Sequence, residues 1–322
     1  MNVLTVALGD YPHVQPLLQG AVAPDGYAFE SVTVRPIIAA YRRMIRDLEF
    51  DVCELAPVSY LMAREAGVPI SAIPVFLNRR FHHGDIQCAP GSGITAPKDL
   101  EGGRIGVRAY SVSTGVWGRG ILKEDYGVDL GTLTWVVDDD DHVEGHVPAN
   151  VERVTDGRSL GSMLKAGALT AAFTGNAGTG RAGAPQAGWE AQPSDHETGE
   201  IYPLFPHSDV IERDWYLRTG IYPAHSVIVL RDELIEKDPD LPSRLYAAFA
   251  EAKQLQVRRD PGWESQPHLA SQHRRIGGDP VPYGIESNVA TIDALERYSR
   301  DQWLLDHDVQ GSVFADGTYP DH

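Results

Sequence analysis

Short apolar runs alternate along the chain with segments whose apolar residues recur at helical spacing. Val3–Leu8 reads as a strand and Ile37–Leu48 as a helix. Phe50–Leu55 follows as a strand. Val58–Ala66 is a helix closed by Gly67-Val68-Pro69, and Ile70–Phe76 a further buried run. Arg104–Arg108 is a strand bounded by glycines, and Gly115–Tyr126 is helical. Leu133–Val137 and Leu169–Phe173 are strands flanking a helix at Ser159–Ala166. Ser226–Leu230 is a strand, Leu241–Val257 a long helix and Ser287–Leu305 a last helix. This alternation predicts an α/β fold with mostly parallel sheets. In such folds ligands sit beyond the carboxyl ends of the strands.

Two places carry the signals of a crossing between domains: Gly84–Cys88, ahead of the loop Ala89–Lys98, and Tyr222–Leu230. Crossings at both would make residues 89–221 one lobe and join 1–88 to 222–322 as the other, which suits a chain of 322 residues. Residues 176–200 are rich in Gly, Ala and Pro without a period, the composition of a long loop or flap.

The polar residues at predicted strand ends are the candidate chemistry. Asp10 and Tyr11 follow the first strand, with Gly9 permitting a tight turn; an ordinary strand-to-helix loop reads the same way. Glu54 sits in the second strand. Ser59 lies in the first turns of the next helix, where free N–H groups could hold a carboxylate, or where the serine serves only the helix. Asn78-Arg79-Arg80-Phe81-His82-His83 is the densest cationic cluster. Arginine suits bidentate carboxylate contacts and histidine suits proton transfer near neutrality. Ser111, Ser113 and Thr114 precede a helix that carries Trp117, a charge-neutral cradle for an anion or simply an N-cap. Thr174 and Asn176 end another strand, and His225 precedes the strand at the second crossing.

Composition narrows the classes of partner. The net charge is −17, which argues against nucleic acid and against an anionic membrane surface. The predicted partner is a small molecule, with homo-oligomerisation left open. No apolar run reaches the length of a membrane span, the first strand is too short for a signal peptide, and only Cys53 and Cys88 occur. These features suggest a cytoplasmic protein with two buried free thiols. Asp138–Asp141 with His142, Glu144 and His146 lacks the spacing of a calcium loop and reads as a solvated surface. GxxxxGK[ST], GxGxxG, HExxH, CxxC and GxSxG are all absent. No cofactor is expected; a divalent metal is left open.

Asp47–Glu65, Ile73–His83, Asp99–Gly120, Asp125–Val128, Gly220–Leu230 and Pro282–Asn288 together resemble the 4,5-dihydroxyphthalate decarboxylase family, in order and over nearly the whole chain. The chain departs from the family pattern at Pro223-Ala224-His225-Ser226, which places the histidine one position earlier. The resemblance implies a two-lobed, type II periplasmic-binding-protein-like fold with a ligand cleft between lobes. It also implies non-oxidative decarboxylation of a hydroxylated aromatic acid without an organic cofactor. In that chemistry a base deprotonates a phenol, an acid protonates the carboxyl-bearing carbon, and CO₂ leaves. His82, His83 and His225 are then candidates for proton transfer, Arg79, Arg80 and the Ser111–Thr114 helix start for carboxylate binding, and Asp10 and Glu54 for orientation. A cytosolic binding protein for the same ligand, without turnover, is the alternative, and a dehydratase acting on a cyclic acid is a second.

Overall fold

The computed structural model describes residues 2–144, 147–180, 201–306 and 312–322. His146 and positions 181–200 of the predicted flap therefore lie outside the described residues. In chain order the strands are β1 (Asn2–Ala7), β2 (Tyr27–Ser31), β3 (Val52–Leu55), β4 (Ile70–Ile73), β5 (Ile86–Cys88), β6 (Arg104–Gly106), β7 (Thr134–Val137), β8 (Val151–Arg153), β9 (Ala171–Phe173), β10 (Tyr202–Pro203) and β11 (Val227–Arg231). The helices are α1 (Gln15–Leu18), α2 (Ile38–Asp47), α3 (Pro57–Glu65), α4 (Ser113–Tyr126), α5 (Leu160–Lys165), α6 (Ser208–Thr219), α7 (Asp232–Lys237), α8 (Leu241–Arg259), α9 (Pro267–Ile276) and α10 (Val289–Asp301). Among the described residues no helix is long and apolar enough to cross a membrane.

The elements belong to two compact units. The first comprises Met1–Arg80, Tyr216–Ala294 and His307–His322; the second comprises Phe81–Trp215 and Leu295–Asp306. The sheet of the first unit has the order β2-β1-β3-β11-β4. β1 pairs in parallel with β2 and β3, whereas β11 runs antiparallel between β3 and β4. The sheet of the second unit has the order β10-β5-β9-β6-β7-β8. There β9, β6, β7 and β8 are parallel, and β5 is antiparallel to both β9 and β10. The strands run mostly parallel, as expected, with β11 in the first sheet and β5 in the second running against the rest. β5 and β11 are the first strands after the chain passes into a new unit. Each inserts antiparallel between two strands, β5 between β10 and β9 and β11 between β3 and β4.

Local sequence explains most elements. All four residues of both β3 and β4 are buried, so these strands read as apolar runs, broken by Glu54 in β3 and Ser71 in β4. α2 buries Ala40, Tyr41, Met44 and Ile45, a stripe at helical spacing, and stops where Leu48 turns left-handed. Pro57 opens α3 and Gly127, at φ 64°, closes α4. Ser159 caps α5 by accepting from the Ser162 N–H at 3.1 Å. The first unit's core gathers Leu4, Val6 and Val52 with Leu245, Phe249 and Trp263 beneath the sheet. The second unit packs Val136, Leu160, Met163 and Leu169 around β9. Cys53 and Cys88 are both free and buried.

Candidate functional site

In the first unit the register brings separate segments to one edge of the sheet. Ala7 stands opposite Cys53, and Ile228 stands opposite both Glu54 and Ile73. The turn after β1, the residues after β4 and the residues before β11 therefore meet around Glu54. This carboxylate is 1% exposed. It accepts from the Gly9 N–H at 2.9 Å, the Tyr11 hydroxyl at 2.8 Å and the Tyr41 hydroxyl at 3.4 Å. Ser226 is a further donor to it. A buried charge is costly unless hydrogen bonds replace its water. Burial pushes the Glu54 carboxyl above its ordinary range, and the donors around it oppose that rise. Burial, and then Glu54 itself, push the Tyr11 and Tyr41 hydroxyls well up, so both remain proton donors. A Cβ at Gly9 would lie 2.5 Å from the Tyr11 ring and 2.9 Å from Glu54 Oε2, so any side chain there would displace these groups.

Beside this cluster, residues 78–80 pair with residues 223–226. The His225 N–H donates to Asn78 O at 2.8 Å and the Arg80 N–H donates to Pro223 O at 3.3 Å. The Asn78 N–H donates to the Ser226 hydroxyl at 3.0 Å, and the Asn78 side chain also bonds the Tyr11 hydroxyl. This pairing sets Arg80 Nε 3.3 Å from His225 Nε2, with both side chains partly exposed.

The neighbouring arginine is placed differently, which corrects its predicted role. Arg79 is fully buried. It donates to Tyr222 O at 2.6 Å, to Pro282 O at 3.4 Å and to the Asn288 side-chain oxygen. Its guanidinium lies 4.7 Å from the Phe76 ring centre and 5.3 Å from that of Tyr222. Burial lowers its pKa to about 10, so it stays cationic, committed to its own unit's interior. Extended backbone sends adjacent side chains to opposite faces, which is why two consecutive arginines diverge.

Asp10 is also placed differently from its expected orienting role. It is exposed, accepts from Gln15 Nε2 at 2.7 Å and lies 3.5 Å from Arg35. Ser59 is buried on α3.

The second unit repeats the arrangement. Its polar residues follow β6, β7 and β9 or precede β5, and Ile86 stands opposite Phe173 at that edge. His82, 1% exposed, holds its Nδ1 2.8 Å from Asp85 Oδ2. The Thr174 N–H donates to Asp85 O at 2.8 Å, and its hydroxyl lies 3.5 Å from Asp85 Oδ1. His83, equally buried, packs edge-on to Phe205 and Trp215, each with ring centres 5.4 Å away. Asn176 is exposed in the turn after β9. The Ser111 N–H and hydroxyl both donate to Asp141 Oδ1, at 2.7 and 2.6 Å. The Ser113 hydroxyl is buried and has no hydrogen-bond partner among the described residues, at the first position of α4 beside buried Thr114. Trp117 is fully buried, packed edge-on to Tyr298 at 5.7 Å, which makes it a core residue. Asp138 and Asp139 are buried as well, so the expected solvated acidic surface is corrected for them: they follow β7 into the interior. Among the described residues no group of three His, Cys, Asp or Glu side chains could hold a metal ion.

Several partners escaped sequence reading: Tyr41, Asn78, Ser226, Asp85 and Asp141. Tyr41 lies 13 residues from Glu54 on an amphipathic helix, where it is indistinguishable from a core residue. The spacing of His82 and Asp85, three apart, was the one local signal available.

No family model matches the chain. A curated protein named 4,5-dihydroxyphthalate decarboxylase, from Comamonas testosteroni, is 29% identical over 315 residues, spanning 90% of this chain and 89% of that protein. A second of that name, from Pseudomonas putida, is 35% identical over 183 residues, spanning 52% of this chain and 68% of that protein. Among solved structures, the periplasmic aliphatic sulphonate binding protein SsuA from Escherichia coli matches with a TM-score of 0.53 at 13% identity, over 96% of this chain and 95% of that one. The putative periplasmic sulfonate-binding protein SsuA from Methylobacillus flagellatus KT matches with a TM-score of 0.55 at 11% identity, over 97% of this chain and 90% of that one. At such identities the likeness establishes the fold alone, a type II periplasmic-binding-protein-like fold.

Proposed function

Because the chain belongs to the 4,5-dihydroxyphthalate decarboxylase family, a family of carboxy-lyases, we propose that it removes CO₂ from a hydroxylated aromatic dicarboxylate such as 4,5-dihydroxyphthalate. The observation that carries this reading is the likeness to the Comamonas testosteroni decarboxylase over 90% of the chain.

Direct loss of CO₂ would leave an aryl carbanion. In 4,5-dihydroxyphthalate each hydroxyl is para to a carboxyl-bearing carbon, which offers another route. A base takes the phenol proton, and the electron pair moves through the ring to that carbon. An acid protonates the carbon and gives a dearomatised ketone. The carbon–carboxylate bond then breaks, CO₂ leaves, and its electron pair restores the ring as a phenolate. The sum consumes one proton per CO₂.

The residues of the first unit offer groups of the required kinds. Arg80 is the proposed carboxylate anchor, since Arg79 is spent on its own unit. His225, beside Arg80, is the proposed proton-transfer group. Glu54 and Tyr11 are the proposed partners of the phenol hydroxyls, because the cluster combines a raised carboxyl with fixed donors. For the second unit, we propose proton transfer at His82 as well. Asp85 at Nδ1 would fix the tautomer and orient the ring. The start of α4 at Ser113–Thr114 is a proposed anion contact. A cytoplasmic setting fits this substrate class and remains part of the proposal.

The test is CO₂ release by the purified protein from 4,5-dihydroxyphthalate, with a hydroxybenzoate panel beside it. The expected result is one CO₂ and one 3,4-dihydroxybenzoate per substrate. Tight binding without CO₂ would replace the reading with that of a binding protein.

A further inference from the structure

The first unit contains a cavity of about 480 Å³ that the proposed chemistry does not use. Such a volume lies within the range of small-molecule sites. Its walls come from the last turns of α8, the loop leading into α9, and the segment after α9. The apolar part is Val257, Pro261 and Trp263, and the polar part includes Lys253, Arg258, His273 and Asp279.

The loop that supplies Trp263 is held by Asp260. Its carboxylate accepts from the Glu264 and Ser265 N–H groups, both at 2.9 Å, and from the Ser265 hydroxyl at 2.6 Å. Trp263 itself sits at φ 58°, in the left-handed region, although it is only 2% exposed. A bulky side chain rarely adopts that backbone, and such strain concentrates at binding sites. The indole packs edge-on to His13 at 5.8 Å.

The charges define what the cavity would accept. Lys253 Nζ is 2.6 Å from Asp279 Oδ2 and also donates to Val281 O and His322 O, so this pair is internally neutral. Arg258 is exposed and has no ion-pair or hydrogen-bond partner among the described residues, so it is one uncommitted cation. His273 donates Nδ1–H to Gly278 O at 2.6 Å, which leaves Nε2 as the acceptor of the neutral ring. One spare cation, one spare acceptor and an apolar wall suit a flat ligand with a single carboxylate and a hydroxyl. A dicarboxylate would bring a second negative charge with no second uncommitted cation to meet it.

We propose that this cavity is a second ligand site, for a planar hydroxylated aromatic monocarboxylate, with Arg258 taking the carboxylate and His273 a hydroxyl. The choice of ligand class rests on the decarboxylation reading, because loss of one CO₂ from a hydroxylated aromatic dicarboxylate leaves such a monoanion. The site would thus respond to product and not to substrate.

Calorimetric titration of the full chain with 3,4-dihydroxybenzoate tests it, with phthalate as the dicarboxylate control. A Cβ at Gly278 meets no atom within 4 Å, so Gly278→Leu would fill the cavity without a backbone clash. The expected result is two equivalents of 3,4-dihydroxybenzoate and one of phthalate on the natural protein. Gly278→Leu would keep one equivalent of each, and Arg258→Ala would weaken the second 3,4-dihydroxybenzoate equivalent about tenfold or more. A single equivalent on the natural protein, or two of unchanged affinity on either variant, would overturn the proposal. If Gly278→Leu does not fold, Arg258→Ala on the exposed rim decides alone. Absence of CO₂ release from 4,5-dihydroxyphthalate would end the decarboxylation reading and leave this count of equivalents standing.

Discussion

The Tyr11 hydroxyl donates to Glu54 Oε1 at 2.8 Å, while the Tyr11 ring stacks on His13 with centres 5.5 Å apart. The contact joins a turn after β1 to a buried residue of β3 and commits a phenol proton to a carboxylate shielded from water. Removing that donor leaves the carboxylate less compensated. Tyr11→Phe is expected to lower kcat about 10- to 100-fold and to cost about 1–3 kcal/mol of stability. Steady-state CO₂ release and urea unfolding of the variant measure the two effects separately.

Arg79 and Arg80 are adjacent and should behave as different kinds of residue. Arg79→Ala removes a fully buried cation whose partners are backbone carbonyls and Asn288. It is expected to destabilise the chain by about 3–5 kcal/mol, seen as loss of soluble protein or a collapsed Tm. Arg80→Ala should fold normally and raise KM, with His225→Ala lowering kcat by about 10²-fold or more. Full activity in Arg80→Ala would move the carboxylate anchor elsewhere.

Gly9 is the third site of consequence. A methyl group there overlaps the Tyr11 ring and approaches Glu54 Oε2, at 2.5 and 2.9 Å. Gly9→Ala should therefore displace both groups, costing about 1–3 kcal/mol together with most of the activity. A crystal structure or a pH–rate profile of the variant would show the displacement. Unchanged kcat would separate the Glu54 cluster from catalysis.

His13 gives the stability a defined pH dependence. Burial, with Lys253 nearby, lowers its pKa from 6.5 to about 3. The unfolded chain therefore takes up the proton first. The stability that neutral His13 contributes is complete above about pH 6.5 and is lost as pH falls toward 3. The loss should run at about 1.4 kcal/mol per pH unit at most. Urea midpoints measured across that window should fall less steeply in His13→Phe than in the natural protein, and equal slopes would contradict this origin.

His82 and His83 are likewise adjacent and divergent. Asp85 holds Nδ1 of His82, whereas His83 is enclosed by Phe205 and Trp215. His82→Gln and Asp85→Asn should both depress kcat with folding retained, and His83→Ala should mainly reduce Tm, by circular dichroism.

Much of this organisation could be read from the chain alone. Apolar periodicity located β1, β3, β7, α2, α4 and α8 to within a residue or two, because burial of one face leaves a periodic trace in sequence. Strand ends followed by Gly and polar residues marked the edges where Glu54, Ser111 and Thr174 lie. Pairing partners leave no such trace. Whether Arg79 or Arg80 turns inward, whether Trp117 faces a core or a ligand, and that Tyr41, Asn78 and Ser226 converge near Glu54 depend on sheet register and on residues as far as 209 positions apart. Local patterning determined which residues are apolar, where elements begin and what chemistry each loop carries. Only the tertiary structure decided which of those polar groups meet, because hydrogen-bond partners are chosen by proximity in space and not by order along the chain.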